Sequence, residues 1–247
     1  MNIVLIPFIF ASFIFSQNID SLYLDGNNKY NNKEYYSAIN SYERILEEDY
    51  QHQDLYLNLG NAYFRNGSIG NAIWAYEKGK ILSPRDKDLN YNLLLLNKKT
   101  RDEISKPEQL LIFRLYKSYI EKFNIVEMLG FIGILLFFLG ILNIVKNNNN
   151  LFLKIYKNLI IMIVFALLLI IGSSIDKLFK ITLNNDAIVV LKEIDVRSSP
   201  LKISNNILFK VHEGARVIVG QENNDWYQIE LYDGKKGWAL KNSLRLL

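Results

Sequence analysis

The spacing of apolar residues changes along the 247-residue chain, and each change predicts an element. Ile3–Phe15 is an apolar run broken by Pro7 and Ser12. It is short for a bilayer crossing and suits the hydrophobic core of a secretory signal, so residues 1–16 are expected to be a signal peptide, with Ser16 as the cleavage position; the alternative is an uncleaved N-terminal anchor. From 17 to 123, apolar and polar residues interleave at helical spacing. Two long apolar runs follow, and the second holds thirteen consecutive apolar residues from Leu159 to Ile171. From Ala187 the spacing shortens to that of strands: AIVVL, ILFKV, ARVIVG and WYQIEL are separated by turn-forming segments.

The middle runs predict a transmembrane hairpin over 125–175, with helices 125–145 and 155–175. The connecting segment 146–154 reads KNNNNLFLK and, with Lys157, offers three lysines and no acid. Basic residues at span ends stay cytoplasmic, so the segments before 125 and after 176 should both lie outside. The expected location is a bacterial inner membrane with periplasmic N- and C-terminal domains. Gly130, Gly133 and Gly140 share an arc of about 80° on the first span, a face that would admit a close helix neighbour.

Composition narrows the chemistry. There is no cysteine, and the two histidines, His52 and His212, are far apart in the chain. Thiolate chemistry is excluded, and no metal site or cofactor is expected. The net charge of +4 is not concentrated: residues 17–100 carry ten basic and eleven acidic side chains. Phosphate-backbone binding therefore has no footprint. No nucleophile elbow, P-loop, zinc-protease or dinucleotide motif is present, and the chain is not expected to be an enzyme.

A 34-residue period runs through the first part of the chain. Gly26 and Gly60, Asn27 and Asn61, Ala38 and Ala72, Tyr42 and Tyr76, and Asn58 and Asn92 are all related by it. The copy at 53–86 carries Tyr56, Leu59, Gly60, Tyr63, Ala72, Tyr76, Gly79 and Pro84 at the signature spacing, and so resembles the tetratricopeptide repeat family. The weaker copy is about 19–52. Small residues would let paired helices touch, tyrosines would fill the space between repeats, and helices within 87–123 would cap the stack, the amphipathic stretch 107–123 included. The resemblance implies an all-α solenoid over 17–123 that binds protein partners on its concave face. Candidate contact residues there are Tyr23, Asn27, Tyr30, Asn58, Asn61, Phe64, Arg65 and Asn92. A carboxylate clamp is not implied, because Tyr23 and Asp88 stand where that version has lysines.

Residues 187–247 resemble the bacterial SH3-like family through Asp195-Val196-Arg197-Ser198-Ser199-Pro200, Glu213-Gly214, Asp225-Trp226-Tyr227 and Asp233-Gly234-Lys235-Lys236-Gly237-Trp238. Ser199 occupies a turn position where glycine is usual. The resemblance implies an all-β barrel that binds peptidoglycan or peptides, with Trp226 and Trp238 as a candidate ligand groove or as structural tryptophans. The whole is thus a multidomain membrane protein: solenoid, hairpin and barrel. That order of parts is similar to the BatE-type members of the Bat (Bacteroides aerotolerance) family. This resemblance implies a non-enzymatic scaffold in an aerotolerance or envelope-stress complex, with von Willebrand A-domain membrane proteins as partners. The alternative is a cell-wall-binding or envelope-sensing module acting through the barrel.

Overall fold

The computed structural model describes residues 5–102, 110–144 and 150–247. Met1–Pro107 and Asn185–Leu247 form one compact unit, and Glu108–Asn184 form a second.

In the first unit, five helices precede the sheet: α1 (Leu5–Asn31), α2 (Tyr35–Glu47), α3 (Gln53–Arg65), α4 (Ile69–Leu82) and α5 (Lys87–Asn97). The segment expected as a signal peptide is helical from Leu5 and continuous with α1 to Asn31; residues 1–4 lie outside the described residues. No proline follows Pro7 within the helix. Lys33, Asp49 and Gly67 take positive φ in the turns that reverse the chain. The carboxylate of Asp86 accepts from the Asp88 and Leu89 amides at 2.9 Å each and starts α5.

The 34-residue period reappears as repeated contact. A Cβ on Gly26 would stand 2.5 Å from the Tyr42 ring, and one on Gly60 would stand 2.4 Å from the Tyr76 ring. Ala38 and Ala72 are fully buried. Leu89, Leu93 and Leu96 of α5 close the end of this core.

The sheet comprises β1 (Asp186–Val189), β2 (Glu193–Arg197), β3 (Ile207–His212), β4 (Arg216–Asn223), β5 (Trp226–Glu230), β6 (Lys236–Leu240) and β7 (Leu244–Leu246). Its order is β3-β2-β6-β5-β4-β1-β7, with antiparallel neighbours throughout. Val196, Val217, Ile229 and Ala239 fill its interior. Gly214 and Gly234 turn at φ of +85° and +89°. At Ser199 no left-handed residue is needed: Asn206 Nδ2 donates to Ser199 Oγ at 3.0 Å, and Arg197 Nη1 donates to Asn206 Oδ1 at 2.8 Å.

The continuous apolar run at the start of β1 has a structural reason. Ala187 and Val189 face the barrel interior, while Ile188 faces the other way into the helical core; all three are buried. A strand buried on both faces shows no alternation. Barrel and helices therefore share a wall, where the sequence suggests separate domains.

The second unit holds α6 (Leu111–Lys122), α7 (Ile125–Ile144) and α8 (Asn150–Thr182). The α7 segment and Ile155–Thr182 of α8 are long and apolar enough to cross a membrane. Asn124 and Glu127 form a reciprocal capping box at the start of α7: the Glu127 amide donates to Asn124 Oδ1 at 2.8 Å, and the Asn124 amide donates to Glu127 Oε2 at 3.0 Å.

Two boundaries need correction. The connecting loop expected at 146–154 is helical from Asn150, and the second long helix continues past 175 to Thr182; residues 145–149 lie outside the described residues. The Ser173, Ser174 and Thr182 hydroxyls donate to carbonyls of their own helix, so its polar end remains helical. Of the stretch 107–123, expected to close the repeat core, α6 belongs instead to the second unit, and residues 103–109 lie outside the described residues. Of α6 only Ile120 is buried.

Candidate functional site

Among the described residues the first unit has three open concavities; one, of about 260 Å³, lies among Ile73, Glu77, Asn97, Gly214, Arg216 and Tyr232 where helices meet sheet, and the other two hold predicted site residues. Tyr23, Asn27 and Tyr30 sit on α1, Asn58, Asn61, Phe64 and Arg65 on α3, and Asn92 on α5, the first helices of successive pairs. Asn27, Tyr30, Asn58 and Asn61, with Asn31 and Tyr42, line a groove of about 330 Å³. Asn31 is not among the residues expected there, and Tyr42 is expected as a packing residue of the repeat and not as part of the groove.

A ladder of side chains repeats along the groove. Asn27 Oδ1 accepts from the Tyr42 hydroxyl at 2.7 Å and from Asn58 Nδ2 at 3.1 Å. One repeat later, Asn61 Oδ1 accepts from the Tyr76 hydroxyl at 2.7 Å and from Asn92 Nδ2 at 3.2 Å. Asn58 Nδ2 also donates to the Tyr23 hydroxyl at 2.9 Å. The asparagines thus join adjacent helix pairs. Burial pushes the Tyr42 and Tyr76 phenols well above the ordinary value, which keeps them neutral donors. At the edge of the groove, Arg65 is exposed and hydrogen-bonds Tyr30, and the Phe64 ring lies under the Lys99 ammonium at 4.9 Å. Amide groups beside aromatic rings suit an extended polypeptide better than a small reactive substrate.

The other of these two is on the barrel, a cleft of about 240 Å³. Leu191, Asp195, Arg197, Lys202, Trp226 and Leu240 are among the residues around it. Trp226 pairs with Leu240 across β5 and β6 and is 8 % exposed, so it forms a wall of the cleft while supporting the fold. Arg197 Nη2 meets Asp195 Oδ2 at 3.1 Å. Trp238 does not line this cleft: it lies opposite Gln228 on β5 and Arg197 on β2. Of the two tryptophans, Trp226 alone lines this cleft.

Between the groove and the barrel cleft lies a junction that sequence reading missed. Arg245 Nη1 donates to the Tyr63 hydroxyl at 2.8 Å, Glu43 Oε1 at 3.0 Å and Asn71 Oδ1 at 3.2 Å. Trp74 Nε1 donates to the Leu246 carbonyl, and the Gly70 amide donates to Glu213 Oε1, both at 2.8 Å. A Cβ on Gly70 would stand 2.3 Å from the Val189 carbonyl oxygen, so the close approach needs glycine. Arg216 Nη2 pairs with Glu77 Oε2 at 2.9 Å. Asp102 accepts from the His212 amide at 2.6 Å, and its other oxygen lies 2.8 Å from His212 Nδ1. His52 accepts from the Asp54 amide at the start of α3, so both histidines have structural partners. Among the described residues, no three metal-ligating His, Cys, Asp or Glu side chains converge.

Residues 192–245 match the Bacterial SH3 domain family. A 55-residue stretch is 38% identical to the "Putative N-acetylmuramoyl-L-alanine amidase YrvJ" of Bacillus subtilis (strain 168); it covers 22% of this chain and 10% of that protein. The chain thus spans about a tenth of that relative's length, and the likeness lies in the barrel.

Proposed function

We propose that the protein is a membrane-anchored, non-enzymatic adaptor of the bacterial envelope. The barrel cleft takes a peptidoglycan or peptide ligand, and the helical groove, read as two tetratricopeptide repeats with α5 as cap, recruits a protein partner. The observation that carries this reading is the junction: it fixes barrel to helices through Arg245 and Trp74 while neither concavity is used in the contact. The barrel's match to a bacterial SH3 family, and to a relative named as a cell-wall amidase, supports a wall ligand. The order of parts supports a Bat-type complex with von Willebrand A-domain membrane proteins.

The packing of α1–α5 against the sheet supports a topology with both flanking segments on one side of the membrane, and the lysines at 146, 154 and 157 support the periplasm as that side.

The test uses detergent-solubilised full-length protein. It should sediment with purified peptidoglycan sacculi, and Leu191→Asp with Lys202→Glu should cut retention at least tenfold without unfolding. Phe64→Ala with Arg65→Ala should leave sacculus binding intact but weaken capture of the A-domain membrane partner by about tenfold, roughly 1.4 kcal/mol. Loss of sacculus binding in the wild type would remove the wall ligand; undiminished capture by the double variant would remove the groove as recruiting surface.

A further inference from the structure

We infer that α6 lies in the surface of the bilayer that α7 and α8 cross, with its apolar face among the lipids. The inference rests on reading those two helices as membrane spans.

At 100° per residue, Leu111, Leu115, Tyr119 and Ile112 fall within one arc of about 100°, joined at the C-terminal end by Lys122; Tyr116, Ile120 and Phe113 extend it on one side to about 200°, and Arg114, Lys117 and Glu121 occupy the opposite side. That apolar face is left open: Leu111, Ile112, Phe113 and Leu115 are 60%, 71%, 60% and 61% exposed. α6 carries three basic side chains, Arg114, Lys117 and Lys122, against the single acid Glu121. An amphipathic helix with aromatic and aliphatic residues on one face and basic residues on the other partitions into the headgroup region.

Continuity with the spans places α6 there. Only Phe123 and Asn124 separate its end from the start of α7. The Lys177 ammonium of α8 donates to the Ile120 carbonyl at 2.8 Å and the Phe123 carbonyl at 2.5 Å, and so satisfies the C-terminal carbonyls of α6. The Tyr116 hydroxyl donates to Asp176 Oδ2 at 3.1 Å. The side of α6 that holds Tyr116 and Ile120 is thus fastened to the end of α8 near its last residues. The remaining apolar side starts at the boundary where both spans emerge, and the surface available at that level is the bilayer itself.

The absence of cysteine in the chain makes the test direct. Single-cysteine variants Ile112→Cys, Leu115→Cys, Lys117→Cys and Phe137→Cys are spin-labelled in full-length protein reconstituted into phosphatidylcholine–phosphatidylglycerol vesicles. Collision with oxygen reports lipid, and collision with a water-soluble nickel chelate reports solvent. The labels at 112 and 115 should show an oxygen-to-nickel ratio several-fold above that at 117 and close to that at 137 in the middle of α7. Nickel access at 112 and 115, with 137 in lipid, overturns the surface helix alone. Protection of 112 and 115 from both reagents also overturns it, since protein would then cover the face. Nickel access at 137 overturns the spans themselves.

Discussion

The guanidinium carbon of Arg245, on the last strand, stands 3.4 Å from the centre of the Trp74 ring on α4. The same guanidinium serves Glu43, Tyr63 and Asn71. A planar cation stacked on an indole and forked onto a carboxylate is a geometry that lysine cannot reproduce. Arg245→Ala should therefore lower the stability of the first unit by about 2 kcal/mol, and Arg245→Lys should recover less than half of that. Denaturant midpoints of full-length protein in detergent measure both. Unchanged midpoints would mean that the junction adds nothing to the fold.

Glycine at 26 and 60 should matter equally, and glycine in the first span should not. A methyl group at Gly26 or Gly60 would meet the ring of Tyr42 or Tyr76, each 1% exposed and held by asparagine. Gly26→Ala and Gly60→Ala should each cost about 1–3 kcal/mol by overpacking, and Ala72→Leu should cost the same. Gly130→Ala meets nothing within 4 Å and serves as the control. Thermal melting of the four variants decides the matter: equal loss in Gly130→Ala would contradict the contact.

Alkaline pH should loosen the helical region in a tyrosine-dependent way. Burial raises the folded values of Tyr42 and Tyr76 above the ordinary 10.0. A group with a raised folded value adds stability that is fully present below the unfolded value and is lost as pH rises toward the folded one. Stability should hold up to about pH 10 and then fall by at most about 1.4 kcal/mol per pH unit for each tyrosine. Tyr42→Phe with Tyr76→Phe should flatten the fall, though from a lower starting stability because two hydrogen bonds are gone. An alkaline limb as steep as in the wild type would assign the effect to other groups.

Membrane sidedness has its own check. A reporter active only outside the inner membrane, fused after Leu247, should be active, and the same reporter inserted at Asn148 should be inactive. The reverse pattern would invert the assignment and place both recognition surfaces in the cytoplasm.

The elements most legible in the chain are those governed by one dominant period. Long apolar runs foretell α7 and α8, and the 34-residue spacing foretells the matching contacts of Gly26 with Tyr42 and Gly60 with Tyr76. Four apolar runs foretell β1, β3, β4 and β5, whereas β2, β6 and β7 are short or charged and give weak alternation. The same period aligns the groove asparagines, whose spacing is as compatible with contacts between helices as with a bound peptide, and the ladder is of the first kind. The junction left no trace in local pattern, because Glu43, Glu213, Arg216 and Arg245 look like ordinary solvated charges until distant segments meet. The sharing of Ile188 between two cores shows only as an unbroken apolar run, which marks burial on both faces without saying what covers the second.

The unit that joins helices to barrel is assembled from the two ends of the chain, with the hairpin inserted between them. During synthesis α1–α5 emerge first, and Trp74, Tyr63 and Glu43 must wait for a strand made last. On the topology proposed above, their partner reaches them only after α8 has returned the chain to the side where α1–α5 lie. A hairpin that crossed only once would then strand the barrel on the wrong side and leave an indole and a carboxylate uncovered. On that topology, docking of Arg245 closes the assembly, and a molecule that lacks it carries an exposed surface open to proteolysis.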